Sequence, residues 1–218
     1  MQREYRHTSI RFDEHAAQAL AAALFGRLES LTWRYHGIGV LQAYLLEAEP
    51  PGVEHRVHIW HPELSRPELA AQGNVHNHRF DMVSTVLYGE VYHAEYELCG
   101  GFDWLRYEVV HARESPQAYQ PPQRVDAPSV DVRVATGKIL RGATYTFPAG
   151  HFHATRVDGL AITFVTKRNQ ANVRAEVLLP VDAEPLHGFS FAPAPTAKVR
   201  EIVRAATSAL ERQARGRR

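Results

Sequence analysis

The chain has 218 residues, which suits one domain with extensions or two small domains. Its hydrophobic share of 44%, charged share of 22% and formal net charge of +1 are ordinary for a globular protein and give no reason to expect a nucleic-acid partner. Cys99 is the only cysteine, and the first residues lack the apolar run of a signal peptide. We therefore expect a cytoplasmic protein with no intrachain disulfide and no membrane span.

Amphipathic helices are predicted near both ends of the chain. The segment 13–31 begins at Asp13, a good N-cap, and carries leucines at helical spacing. The segment 196–212 follows Pro195, a helix start signal, and has one apolar stripe. Both stripes are most simply explained by packing against the body of the protein.

Between these helices, from about residue 37 to 180, short β-rich runs alternate with turn residues. The predicted strands are Gly37–Glu47, His55–Trp60, Val75–His78, Val83–Glu97, Leu105–Ala112, Val130–Ile139, Thr144–Phe147, Phe152–Val157, Leu160–Val165 and Val173–Leu179. Cys99–Asp103 is predicted as a turn, and the Pro- and Gln-rich stretch Ser115–Ser129 as a long loop. Many short strands without interleaved helices favour an antiparallel sandwich or barrel.

Three histidines have the spacing of a split metal site. His76 and His78 stand one residue apart in a predicted strand, where alternating side chains would project from one face. A distant strand brings His153. Three imidazoles on one side of a transition-metal ion leave the opposite positions open for water or substrate, as catalysis requires.

The segment that ends at His153 resembles the second signature of the cupin superfamily in Gly142, Pro148, Gly150 and the histidine itself. Gly142 permits a bend into the strand. Pro148 and Gly150 form a tight turn that directs His153 back into the barrel.

The first histidine pair resembles the first cupin signature in His76, His78 and Gly89, but Met82 stands where that signature has glutamate. Strict alternation places Met82 on the face of the two histidines and directs Asp81 away, whereas a bulge just before Asp81 would turn it inward. The resemblance therefore implies a three-histidine centre, similar to the thiol dioxygenase branch of the cupins, or a centre that Asp81 completes.

The resemblance covers about residues 55–168 and implies a single cupin domain over 1–218. The implied fold has an all-β core, a double-stranded β-helix or jelly-roll barrel, with flanking N- and C-terminal α-helices and the metal near one mouth. The implied cofactor is a divalent transition metal. Fe(II) is favoured because three neutral imidazoles leave the metal its full charge and open positions for an anionic substrate and O₂, while Zn, Mn or Ni also fit.

The leading functional interpretation is a mononuclear non-haem Fe(II) dioxygenase that acts on a small polar organic substrate. A non-redox metal-dependent isomerase or lyase is the first alternative, and a non-catalytic ligand-binding cupin is the second. Neither predicted helix belongs to a helix-turn-helix pattern, so nucleic acid is not an expected partner. A homodimer through the long apolar strand Gly37–Glu47 is expected, since cupins commonly pair through edge strands.

Three further residues are candidates for catalysis or substrate binding. His58 shares a strand face with Trp60 and would serve as a general acid or base if it lines the cavity, although a structural histidine in a sheet is the alternative. Arg79 would clamp a substrate carboxylate, but strict alternation directs it away from the metal ligands. Ser84 shares the parity of the ligand pair and would be a minor substrate contact.

Overall fold

Two antiparallel sheets form the core of the computed structural model, which describes residues 8–36, 38–45, 52–64, 75–109, 122–170, 172–183 and 196–215. The strands are β1 Ser9–Phe12, β2 Trp33–His36, β3 Val40–Leu45, β4 Val53–Trp60, β5 Phe80–Tyr88, β6 Glu90–Glu108, β7 Gln123–Arg124, β8 Val130–Leu140, β9 Ala143–Phe147, β10 Phe152–Arg156, β11 Ala161–Asn169 and β12 Glu176–Pro180. The helices are α1 Glu14–Phe25 and α2 Thr196–Arg215, with 3₁₀ turns at Leu28–Ser30 and Pro62–Leu64.

The larger sheet has the strand order β1-β9-β5-β11-β4-β3-β2, and the smaller one has the order β10-β6-β12, with β7 and β8 also paired to β6. All of these pairings are antiparallel. The predicted all-β core with two flanking helices is thus confirmed. Long-range pairings dominate, so each strand's neighbours are set by the fold rather than by sequence order.

Two apolar layers hold the larger sheet in place. One face packs against both helices. On this face, Ile59 of β4 and Ile162 of β11 belong to the same apolar cluster as Ile202 of α2. The other face lies between the sheets, where Val86 and Phe147 of the larger sheet meet core residues from β6 and β8. The period of two along each strand therefore separates residues that face the helices from residues that face the interior.

The first helix, α1, is shorter than the predicted segment 13–31. Asp13 caps α1 as expected, because its side chain accepts a hydrogen bond from the backbone N–H of Ala16 at 2.9 Å. The helix ends at Phe25, before Gly26, and the chain continues as the 3₁₀ turn Leu28–Ser30. Among the described residues, no helix is both long and apolar enough to cross a membrane.

The predicted turn at Cys99–Asp103 is wrong, because β6 continues through it with a shift of register between Gly100 and Trp104. The Asp131 carboxylate fills the irregularity and accepts hydrogen bonds from the backbone N–H groups of Phe102 and Asp103, both at 3.0 Å. β6 therefore continues through these glycines, because the Asp131 side chain of β8 accepts hydrogen bonds from the backbone N–H groups at the irregularity.

The predicted edge strand Gly37–Glu47 corresponds to β3; positions 37, 46 and 47 lie outside the described residues. β3 is not an edge, because β2, which the sequence pattern missed, pairs with it from Trp33↔Ala43 to His36↔Val40. β2 therefore covers β3 from Val40 to Ala43, and β3 has no free edge there. The homodimer itself stays a prediction.

Candidate metal centre

His76, His78 and His153 converge, and together they can hold a metal ion. Their candidate ligand nitrogens all lie within 4.8 Å of one another. Nε2 of His153 lies 2.9 Å from Nε2 of His78. Two ligand nitrogens at about 2.1 Å from one metal and at right angles are about 3.0 Å apart, so this spacing suits a shared ion.

His76 and His78 do not lie in a regular strand, so the predicted strand Val75–His78 is reduced to two isolated bridges of His76. His76 exchanges two backbone hydrogen bonds with His153, at 3.0 and 2.8 Å. Between the histidines, Asn77 accepts a hydrogen bond at Oδ1 from the backbone N–H of Glu176 at 2.7 Å. Because this anchors Asn77 in the opposite direction, both imidazoles still face one side.

The turn before His153 is tied to the first motif. Gly150 has φ +80°, the left-handed conformation that glycine adopts without strain. Its backbone N–H donates to the carbonyl oxygen of His78 at 2.8 Å. Asn77 donates through Nδ2 to the carbonyl oxygen of Gly150 at 3.4 Å. The turn therefore positions His78 and His153 together.

The two motifs thus meet inside an antiparallel sandwich, as their resemblance implied. This arrangement is consistent with a cupin β-sandwich with flanking helices. No protein-family model and no curated protein matches this sequence.

Solved structures similar to this chain include the DMSP lyases RdDddP and RnDddQII, at 15% identity over 72% of this chain and 67% of that one, with TM-score 0.40. DMSP lyase DddQ from Ruegeria pomeroyi DSS-3 is 17% identical over 80% of this chain and 81% of that one, with TM-score 0.34. An RmlC-like cupin from Shewanella frigidimarina is 14% identical over 66% and 88%, with TM-score 0.34. These similarities do not carry an activity over to this chain.

Asp81 lies beside the three-histidine group but is not a member of it. One of its carboxylate oxygens accepts a hydrogen bond from the backbone N–H of Ala149 at 2.9 Å, and the other accepts one from Nε2 of Gln170 at 2.6 Å. The carboxylate therefore holds the turn that precedes His153. Met82, at the position of the usual glutamate, is buried in the layer between the sheets. Of the two predicted forms, the structure favours the three-histidine centre.

A neutral imidazole is the form that binds a metal. Burial, together with the neighbouring His76, holds the pKa values of His78 and His153 well below the ordinary 6.5. Protonation would therefore not block these nitrogens at neutral pH. Imidazole nitrogens suit Fe, Zn, Cu and Ni, so these residues fit the divalent transition metal that the motifs imply.

The predicted catalytic candidates differ in where they lie. His58 alternates with Trp60 on the interior face of β4, and burial, with the charge of Arg56 and the nearby His36, lowers its pKa to about 3. Ser84 is fully buried opposite Tyr145 on β9. Arg79 is exposed, as alternation predicts. Catalytic roles for these three residues stay predictions, and Arg79 has the least favourable position.

Two buried cations near the centre were missed at the sequence level. Arg56 and Lys167 have side chains that are 14% and 9% exposed, and both pair with Glu54, at 3.3 and 2.9 Å. Arg56 lies on the same face of β4 as the interior residue Trp60. Lys167 of β11 pairs with the interior residue Met82 of β5, so it lies on the interior face as well. The signal was the alternation in Glu54-His-Arg-Val-His-Ile-Trp60, in which Glu54, Arg56 and His58 take the parity of the interior tryptophan.

Metal-free protein is expected to lose stability below neutral pH. Burial lowers the pKa of His58 to about 3 and that of His93 to about 4, while both are about 6.5 in the unfolded chain. The unfolded state therefore binds more protons below pH 6.5, and the stability from each neutral histidine is lost as pH falls toward the folded pKa. Between pH 7 and pH 5 we expect a loss of about 2 kcal/mol for each histidine.

Urea unfolding of the metal-free protein at the two pH values measures this change. A free energy of unfolding that is constant, or that rises toward pH 5, would contradict the prediction.

Proposed function

We propose that the protein is a metal-dependent cupin enzyme, a mononuclear non-haem Fe(II) dioxygenase that acts on a small organic anion. The observation that carries this proposal is a three-histidine group without a carboxylate, close to the two cations Arg56 and Lys167. The histidines supply no negative charge, so the site favours an anionic ligand.

His76, His78 and His153 would hold the metal. A divalent iron bound there supplies a Lewis-acidic, redox-active centre with open coordination positions. The remaining tasks of orienting the substrate and excluding water belong to the side chains around it.

Ring contacts link His78 to Lys167, and a second aromatic ring holds Arg56. The His78 ring stacks on Phe80 with centroids 4.4 Å apart, and Nζ of Lys167 lies 5.0 Å from the Phe80 centroid. Arg56 stands over the Tyr44 ring, with its Cζ 4.3 Å from the centroid. Aromatic faces hold both cations without neutralising them.

The charge of this cation pair is only partly compensated. Burial alone would raise the pKa of Glu54, but Lys167 and Arg56 lower it, so Glu54 is ionised and supplies one negative charge against two positive ones. Nε of Arg56 is buried with no hydrogen-bond partner among the described residues. A substrate carboxylate or a similar oxyanion would satisfy this group and place its reactive end toward the histidines.

His58 is better suited to hydrogen bonding than to proton transfer. Because its pKa is about 3, the imidazole is neutral at neutral pH and is a weak base. Its Nε2 is buried and has no hydrogen-bond partner among the described residues. His58 would therefore orient a bound substrate, with Arg56 two residues earlier on the same face of β4.

Anaerobic reconstitution tests the activity. Metal-free protein loaded with Fe(II) is mixed with small carboxylates, amino acids and thiol acids, and O₂ consumption is followed with an electrode. We expect uptake that depends on both iron and substrate. Turnover with Zn(II) and no O₂ uptake with Fe(II) would support the isomerase or lyase alternative instead, and binding without turnover would support a ligand-binding cupin.

The variant Lys167→Met is expected to raise KM for the anionic substrate by about tenfold or more while kcat changes less than about threefold, since the ammonium binds ground and transition states alike. Methionine keeps the length of the buried chain, and Arg56 still pairs with Glu54. The matched control is Lys138→Met, whose side chain is 42% exposed and pairs with Glu90 at the surface. An unchanged KM in Lys167→Met, or an equal rise in Lys138→Met, would contradict the anion subsite.

A further inference from the structure

A buried carboxylate on the opposite sheet faces one of the metal-binding histidines. Glu95 of β6 is only 6% exposed and lies directly across from His153 of β10 in the antiparallel register. Directly opposed residues on one face have Cβ atoms about 4.5–5.5 Å apart, so the two side chains are neighbours. The parity of Glu95 is that of Val91 and His93, which point into the layer between the sheets.

The two side chains have complementary buried atoms. Oε1 of Glu95 and Nδ1 of His153 are both buried without a hydrogen-bond partner in the described part of the chain. The other ring nitrogen, Nε2 of His153, is the one that faces His78. A neutral imidazole that binds a metal through Nε2 carries its proton on Nδ1, on the side of the ring away from the metal.

Burial removes the Glu95 side chain from water, and no cation in the described ranges forms a salt bridge with it. His93, two residues earlier on the same face of β6, contacts the rings of Phe147, Tyr145 and His153. A metal ion at the histidines would bring positive charge close to this buried carboxyl group.

We infer that Glu95 is a positioning residue of the metal centre, whose carboxylate accepts a hydrogen bond from Nδ1–H of His153 and directs Nε2 of that ring to the metal. Met82 stands where the cupin signature has a glutamate ligand, whereas the carboxylate of Glu95 would bind to the ligand His153 and not to the metal. Its oxygens are not part of the converging group, which is consistent with action through His153. This inference rests on the metal-binding part of the proposed function and not on the dioxygenase activity.

Cobalt binding tests the inference without any assay of turnover. Co(II) is titrated into metal-free wild type, Glu95→Gln and the control Glu90→Gln, which removes an exposed carboxylate from the same strand. We expect Glu95→Gln to bind about 10- to 100-fold more weakly than wild type. Glu90→Gln should bind within about twofold of wild type. An affinity of Glu95→Gln within about threefold of wild type would overturn the inference.

Two further measurements separate positioning from a structural role. The thermal midpoint of metal-free Glu95→Gln should stay close to that of wild type, because glutamine keeps the size of the buried side chain and an oxygen that can accept a hydrogen bond. In ¹H–¹⁵N spectra of the Zn(II)-loaded protein, wild type should show a slowly exchanging Nδ1 proton on His153 that exchanges faster in the variant. A lower midpoint of the metal-free variant, or an unchanged Nδ1 signal, would overturn the inference. If wild type itself binds no Co(II), the proposed function fails with it, whereas equal binding by wild type and Glu95→Gln rejects the inference alone.

Discussion

The variant His153→Ala is expected to lose metal binding almost completely, with at least a 100-fold drop in Co(II) or Fe(II) affinity. His153 is the ligand that the second motif brings to the first, and its Nε2 lies 2.9 Å from Nε2 of His78. Without it, two imidazoles remain, which is fewer ligands than protein sites use to retain a divalent transition metal. Elemental analysis of purified protein and Co(II) titration measure the loss.

His151→Ala is the matched control for this experiment. His151 lies two residues earlier, is half-buried, and meets the Phe147 ring with centroids 6.3 Å apart, but it is not part of the converging group. We expect its metal content to equal that of wild type. Full metal content in His153→Ala, or equal losses in both variants, would contradict the assigned centre. Circular dichroism of both metal-free variants shows whether either loss reflects misfolding.

Gly89→Ala is expected to lower the free energy of unfolding by about 3 kcal/mol or more, or to prevent folding. Gly89 connects β5 of the larger sheet to β6 of the smaller one and has φ +70°, which costs an L-residue about 1–2 kcal/mol. A Cβ there would also lie 2.3 Å from the carbonyl oxygen of Leu160, a backbone atom that cannot move without distorting β11. Equilibrium urea unfolding followed by tryptophan fluorescence measures the change.

Gly159→Ala is the control for the glycine experiment. Position 159 is also a turn glycine, but a Cβ built there would meet nothing within 4 Å. We expect its free energy of unfolding to stay within about 1 kcal/mol of wild type. A Gly89→Ala protein as stable as Gly159→Ala would show that the connection between the two sheets relaxes, contrary to the close contact with Leu160.

The motif residues predicted the centre well because their action is local. Pro148 and Gly150 form the turn before His153 through their own backbone preferences, and Gly150 does adopt a positive φ. Alternation correctly predicted that the side chains of His76 and His78 lie on one side of the chain, but it assumed a regular strand. No regular strand is present there. His76 forms two isolated bridges, to His153 and to Val177, and the hydrogen bonds between Asn77 and Glu176 keep the two imidazoles on one side.

The role of Asp81 could not be predicted from its neighbours in sequence. Alternation and a bulge gave opposite directions for its side chain, and its actual partners are Ala149 and Gln170, far along the chain. The same holds for Lys167, which reaches Glu54 only because β11 lies between β4 and β5. A period of two identifies a face but not the neighbour on that face.

The sequence by itself determined the β-rich core with its two helices, the three histidines and the turn that directs His153, because these depend on period, spacing and local backbone conformation. Only the tertiary structure decided that Asp81 anchors the turn, that Arg56 and Lys167 stand near the histidines, and that Glu95 lies across from His153. Those relations depend on strand order and register, which arise from long-range pairing in the packed sandwich.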